Sequence, residues 1–218
     1  MARVLILSGG REPYVDPWHP YAATSGRLAA IALERGHVVE LSDEPLGRVA
    51  AGLDGVDVLV SNLPDPGDAV PDDDRERAWA QLDRFAERGG GVLGVHVGLT
   101  GLLGWRRWNE LMGARWVNGA SGHPPLGEAS VRTLPHRLTD GVGEFTLTDE
   151  LYTGLEVTGD IASGVDHTLD GVVHHLVWTR RVGGVRAVGD ALGHGVESFA
   201  SAPHAAIVGR ALDWLGAA

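Results

Sequence analysis

The sequence contains no cysteine among its 218 residues. This absence excludes disulfide bonds, thiolate nucleophiles and cysteine-ligated metal sites. Any catalysis or metal binding by this chain must therefore depend on other side chains, and the ten histidines are the first candidates because imidazole serves both purposes.

Positive charge and long apolar segments are also scarce. The chain has 18 Lys and Arg against 29 Asp and Glu, a formal net charge of −11, which disfavours a nucleic-acid or anionic-membrane partner. No apolar run approaches the roughly 20 residues that a membrane-spanning helix needs. The first residues, MARVLILSGG, hold one basic residue and lead directly into a predicted strand, unlike a signal peptide. We therefore expect a cytoplasmic protein without nucleic-acid or membrane partners.

The sequence does contain enough apolar residues for a full core, with 44% hydrophobic and 22% charged residues. In its first half, apolar strand-like runs at residues 3–8, 37–41, 56–61 and 91–95 alternate with helical patterns at 21–35 and 72–88. Strands that alternate with helices predict a parallel, doubly wound sheet.

The second half is strand-rich. Short strands are predicted at residues 131–134, 144–147, 172–179 and 185–188, with a hairpin turn at Gly183 and Gly184 and a closing helix at 203–215. No linker or repeat divides the chain. We predict one domain, residues 1–218, with a three-layer α/β fold: a mostly parallel, doubly wound, flavodoxin-like sheet with extra antiparallel strands in the second half.

The stretch GGGVLGVHVGLTG, residues 89–101, predicts a buried strand, a tight turn at His96 and entry into a helix at 102–103. Many α/β enzymes carry their nucleophile at such a turn. An imidazole in that position suits general acid–base catalysis or metal ligation. The alternative is a core histidine that is hydrogen-bonded beneath the next helix.

Other candidate residues lie near predicted strand ends. Ligands of open parallel sheets bind beyond the carboxyl ends of the strands, where the predicted loops 9–20, 62–71 and 96–100 carry His19, Asn62 and His96. His194 follows a later strand and precedes a glycine. Asp149 and Glu150 end another strand, and we favour Glu150 as the site carboxylate, with Asp149 as a turn or helix cap.

Several motifs occur in order along nearly the whole chain: RVLILSGG at the first strand, GGGVLGVH at the fourth, GHP at 122–124, HRLTDGV at 136–142, FTLTDELYT at 145–153 and VWTRRVGGVRAVGDALGH at 177–194. With these motifs the sequence resembles the ThuA-like family, named for trehalose utilisation. The resemblance implies a class I glutamine amidotransferase-like fold and a site role for His123. In glutamine amidotransferases the elbow residue is a cysteine, whereas this chain has His96, which excludes glutamine hydrolysis by that route.

Three functions are compatible with these residues. The first is an enzyme of sugar metabolism, acting on a trehalose-type or keto-disaccharide, in which His96, His123 and Glu150 carry out acid–base catalysis. The predicted substrate-binding residues are Trp18, His19, Asn62, Tyr152 and His194.

The second function is that of a metal-dependent hydrolase or isomerase, with Zn²⁺ held by His19, His96, His194 and a carboxylate. No local His-x-x-x-His spacing supports it, because the ligands come from separate loops. The third is a non-catalytic carbohydrate-binding protein that stacks sugars on some of its seven tryptophans. The sequence leaves the substrate, the metal and homo-oligomerisation open.

Overall fold

The fold is built on a large β-sheet with packed helices. The structure, a computed structural model, describes residues 1–102 and 104–217. In this part of the chain the strands are β1 (Arg3–Ser8), β2 (Val38–Ser42), β3 (Val58–Asn62), β4 (Gly91–Val95), β5 (Ala114–Arg115), β6 (Gly127–Thr133), β7 (Phe145–Asp149), β8 (Glu156–Val157), β9 (Ala162–Leu169), β10 (Val172–Val182) and β11 (Val185–Asp190). The helices are α1 (Tyr21–Glu34), α2 (Pro45–Ala50), α3 (Asp72–Glu87), α4 (Arg107–Met112) and α5 (Ala202–Leu215).

Within the described residues, nine strands form one sheet in the order β2-β1-β3-β4-β11-β10-β9-β6-β7. The strands from β2 to β11 pair in parallel. The strands from β11 to β7 pair antiparallel, and β5 with β8 forms a small separate pair. The predicted α/β fold, a parallel sheet with antiparallel strands added by the second half of the chain, is confirmed.

The sheet centre is buried on both faces. Every residue of β3 and β4 is buried, which explains their continuous apolar sequences. Among the helices, α1 packs against α5 and α2 packs against α3. The ends of these buried parallel strands carry the loops of the candidate site.

Some elements differ from those predicted. β9, α2 and α4 were not expected, and β10 extends to Val182, where it turns into β11 through the predicted Gly183–Gly184 hairpin. The sequence of β9, ASGVDHTL, lacks a long apolar run because only its central residues are buried. The helix expected at 102–103 includes Leu103, which lies outside the described residues; a short 3₁₀ turn, His96–Leu99, follows β4 instead.

In the described ranges, no helix combines the length and the apolar character required to cross a membrane.

Candidate functional site

Three histidines from separate loops meet beyond the carboxyl ends of the parallel strands. His19 follows β1, His96 follows β4 and His194 follows β11. Their ring centroids are 5.2 Å apart for His19 and His96, 5.3 Å for His96 and His194, and 4.9 Å for His19 and His194. The structure thus brings His194 together with His19 and His96, two of the three residues that the sequence placed in the loops at this edge of the sheet.

His96 occupies a strained turn. Its φ of 50° lies in the left-handed region, which non-glycine residues seldom adopt. The following turn passes so close to β3 that a Cβ on Gly98 would overlap the carbonyl oxygen of Ser61. The His96 ring is only 1% exposed, and its Nδ1 is 3.0 Å from the carbonyl oxygen of Ala191. Because a carbonyl only accepts, Nδ1 carries the proton, and the lone pair of the neutral ring is on Nε2.

His19 is oriented in the same manner, by Asp16. The Asp16 Oδ1 atom accepts the backbone N–H groups of Trp18 and His19, at 2.9 and 3.0 Å, and lies 2.8 Å from His19 Nδ1. His19 Nε2 therefore faces the other histidines. Burial, followed by the charge of His96, lowers the pKa of His19 despite the neighbouring carboxylate, which favours the neutral ring. The sequence analysis missed Asp16. Its side chain accepts the N–H groups two and three residues further along the chain, a pattern typical of an Asx turn.

Glu150 is the carboxylate of the cluster. Its Oε2 lies 3.1 Å from His194 Nδ1, 3.5 Å from His123 Nε2 and 3.6 Å from His96 Nε2. Burial alone would raise its pKa, but the neighbouring imidazoles more than offset this effect and lower it. Glu150 is therefore held as a carboxylate against the histidines.

Asp149 has a different environment from its neighbour. It is 2% exposed, and it accepts the backbone N–H groups of Gly193 at 2.7 Å and His194 at 3.1 Å. It thus caps the turn that carries His194, and Glu150 alone of the pair reaches the cluster.

Four potential ligand atoms lie within 4.8 Å of one another, one each from His19, His96, Glu150 and His194. Nε2 of His19, Nε2 of His96 and Nδ1 of His194 are buried and make no hydrogen bond within the described chain. The last two contact Glu150 only as ion pairs, at 3.6 and 3.1 Å. A buried polar atom left unpaired costs about 1–3 kcal/mol. Imidazole nitrogens with a carboxylate are a donor set suited to Zn²⁺ and related divalent metals.

Three members of the cluster, His19, Glu150 and His194, line a cleft of about 990 Å³, whereas His96 is 1% exposed and is not among the residues that line it. Trp18, His19, Tyr152 and His194, all predicted to bind substrate, line it. The predicted acid–base residues His123 and Glu150 line it as well. Trp116, which sequence reasoning missed, forms part of the wall, with its ring 4.8 Å from that of Tyr152. The indole of Trp18 is 72% exposed at the mouth.

Asn62 is a correction to the predicted site. It is 2% exposed, and its amide donates to the hydroxyl groups of Thr24 at 2.9 Å and Ser25 at 2.8 Å. It is not among the residues that line the cleft. A residue at a strand end can point into the core as readily as out of it, and here the amide joins β3 to α1.

Comparison with known proteins agrees with this architecture. Residues 3–215 match the ThuA family, described as trehalose utilisation. The chain belongs to the ThuA family. No curated protein matches it.

Solved structures show the shared fold. A ThuA-like protein from Parabacteroides merdae has a TM-score of 0.79 at 17% identity, over 99% of this chain and 90% of that one. A ThuA-like protein from Bacteroides uniformis has a TM-score of 0.73 at 14% identity, over 98% and 91%. A glutamine amidotransferase from Thermotoga maritima has a TM-score of 0.58 at 12% identity, over 100% and 99%. At these identities the likeness establishes the fold alone, and it confirms the predicted glutamine amidotransferase-like class.

This ThuA-family chain is expected to release no ammonia from glutamine. A glutaminase of the related fold requires a thiolate at the elbow, whereas His96 stands there and the chain has no cysteine. A coupled glutamate dehydrogenase assay measures the ammonia, with heat-killed protein as the control. The prediction would be wrong if the protein released more ammonia than the control and His96→Ala did not. That result would show that the elbow supports glutamine hydrolysis.

Proposed function

We propose that this ThuA-family protein is a metal-dependent enzyme that acts on a carbohydrate, with a divalent ion bound by His19, His96, His194 and Glu150. The observation that carries the proposal is the convergence of three buried, partnerless imidazole nitrogens on one carboxylate.

The orientation of the rings supports a metal more strongly than their proximity. His19 and His96 each direct Nδ1 at a fixed oxygen acceptor, so that Nε2 presents a lone pair to the centre of the cluster. Metal-bound histidines usually have such a carboxylate or carbonyl partner on the second nitrogen. Two such lone pairs directed at one buried point repel one another unless a cation, either a proton or a metal ion, lies between them.

The remaining polar side chain of the cluster, His123, suits proton transfer. It is half-buried, its Nδ1 lies 2.9 Å from the carbonyl oxygen of Pro124, and its Nε2 faces Glu150 and the cleft. A divalent ion supplies polarisation of a substrate carbonyl or activation of a bound water. We assign His123 as the acid–base residue for proton transfer beside that carbonyl.

The carbohydrate assignment is supported by the family and by the cleft. The family is described as trehalose utilisation. Trp18, fixed by the Asp16 turn, and Trp116 present aromatic surface beside the polar floor. A volume of about 990 Å³ is at the upper end of the usual range for small-molecule sites, roughly 300–1,000 Å³. These features favour a substrate of disaccharide size, such as a keto-disaccharide.

Metal analysis tests the proposal directly. Protein purified without chelator is expected to hold about one divalent ion per chain, because the four residues form one donor set. After removal of the ion with EDTA, Zn²⁺, Mn²⁺ and Co²⁺ are titrated back by calorimetry. His194→Ala should abolish tight binding.

The matched control is His175→Ala, which removes a histidine whose Nδ1 pairs with Asp166 on another part of the sheet. It is expected to bind metal like the wild type. Wild-type protein that neither contains nor takes up metal would refute the metal centre and leave metal-free catalysis by His96, His123 and Glu150 as the explanation of the cluster.

A further inference from the structure

Four buried polar side chains behind the cleft form a continuous hydrogen-bonded network that the proposed chemistry does not use. Asp149, Ser198, His204 and Asp190 are at most 2% exposed. The Ser198 hydroxyl donates to Asp149 Oδ2 at 2.5 Å, and its oxygen lies 2.9 Å from His204 Nδ1. The other ring nitrogen, Nε2, lies 3.0 Å from Asp190 Oδ2.

The direction of these hydrogen bonds determines the protonation of His204. Ser198 has one hydroxyl proton, and it is directed at the Asp149 carboxylate, so Ser198 accepts from His204 Nδ1–H. Asp190 accepts from Nε2–H. These contacts favour a proton on both ring nitrogens and thus the imidazolium form of His204, which lies between the Asp190 carboxylate and the oxygens of Ser198. Burial opposes this charge, but the charge and hydrogen bond of Asp190 outweigh it and raise the pKa of His204.

Both carboxylates of the network hold the turn that carries the proposed metal ligand His194. Asp190 Oδ1 accepts the backbone N–H of Leu192 at 3.1 Å. Asp149 accepts the N–H groups of Gly193 and His194. The carbonyl of Ala191, in the same turn, is the acceptor that orients His96. The segment 190–194 thus carries the proposed ligand His194 and orients a second ligand, His96. Its backbone is held by hydrogen bonds to Asp190 and Asp149.

We propose that this network positions the metal ligands, with Ser198 and His204 as positioning residues that act through Asp149 and Asp190. The inference rests on the metal centre proposed above. A network that served stability alone would lower the melting temperature when it is broken, but it would leave the metal affinity of the folded protein unchanged.

The test compares two fully buried serines. Ser198→Ala removes the hydroxyl that links Asp149 to His204. Ser25→Ala, the control, removes a hydroxyl that donates to Ser8 at 2.8 Å and accepts from Asn62. Both are expected to lower the thermal midpoint. Co²⁺ affinity and the visible Co²⁺ spectrum are then measured at 25 °C on the folded proteins.

Ser198→Ala is expected to bind Co²⁺ about 10–100-fold more weakly than the wild type, with an altered spectrum, because a partner that orients the ligands is lost. Ser25→Ala should match the wild type. Asp190→Asn, which keeps the side-chain shape, breaks the network from its other end and should weaken Co²⁺ binding in the same direction.

The outcomes separate the two proposals. If the wild type binds Co²⁺ and both Ser198→Ala and Asp190→Asn bind it equally well with the same spectrum, the positioning role is wrong while the metal centre stands. If the wild type binds no Co²⁺, the metal centre is wrong, and the positioning role is overturned with it.

Discussion

Replacing His96 with asparagine is expected to abolish tight metal binding. Because the proposed reaction depends on the bound ion, turnover should fall at least as much as it does when an acid–base group is lost, about 10²–10⁴-fold. The variant removes Nε2, which is one of the three partnerless nitrogens directed at the centre of the cluster. Asparagine is the best replacement for the backbone, because it tolerates a positive φ better than most residues. The metal-free variant should therefore lose only about 1 kcal/mol of unfolding free energy.

Three measurements on His96→Asn check this expectation: metal content, the thermal midpoint of the EDTA-treated protein, and turnover of a keto-disaccharide that the wild type accepts. His37→Asn is the matched control, since His37 is also buried but accepts from the backbone N–H of Ala2 and contacts Asp213, away from the cleft. Wild-type metal binding and turnover in His96→Asn, together with a sharply lowered midpoint, would show that His96 is a core residue without a chemical role.

Gly98→Ala is expected to have the largest effect on stability, a loss of about 3 kcal/mol or more. The added Cβ would overlap the carbonyl group of Ser61 and crowd the backbone nitrogen of Asn62. These atoms belong to the backbone of the buried strand β3, so no side-chain rotation relieves the overlap. Either β3 or the turn that carries His96 must move.

Urea unfolding of the metal-free proteins measures the change. Gly26→Ala is the control, because Gly26 lies in α1 and a Cβ there meets nothing within 4 Å. In the interior of a helix this change should stabilise the chain by roughly 0.5–1 kcal/mol. An unfolding midpoint of Gly98→Ala equal to that of the wild type would mean that the close approach of the elbow to β3 is not required.

The parallel half of the sheet was predictable from local patterns. The runs RVLILS and GVLGV are almost entirely apolar because both faces of their strands are covered, and glycines bound them. The antiparallel half of the sheet was less predictable from its sequence. β9 is buried only at its centre, and two of its four buried residues are Asp166 and His167, so its sequence carries no comparable signal.

Some residues of the candidate site were also predictable from the sequence, and others were not. His96 was identified from the glycine-rich elbow, and His19 and His194 from their positions after strands that end at one edge of a parallel sheet. Asn62 met the same criterion, yet its amide is used inside the core. Position along a strand predicts the edge at which a residue lies, but the direction of its side chain depends on the packing around it.

By itself, the sequence determined the fold class, the absence of thiol chemistry and the histidine at the elbow, because each follows from composition or from a short local pattern. Only the tertiary structure decided how Asp149 and Glu150 divide their roles. The Asp149 carboxylate accepts the N–H of Gly193, 44 residues further along the chain, whereas the Glu150 carboxylate contacts the histidines. Likewise, only the tertiary structure brought the unpaired imidazole nitrogens of three loops together. In His19 and His96 the direction of the free Nε2 is set by the hydrogen bond that Nδ1 of the same ring makes.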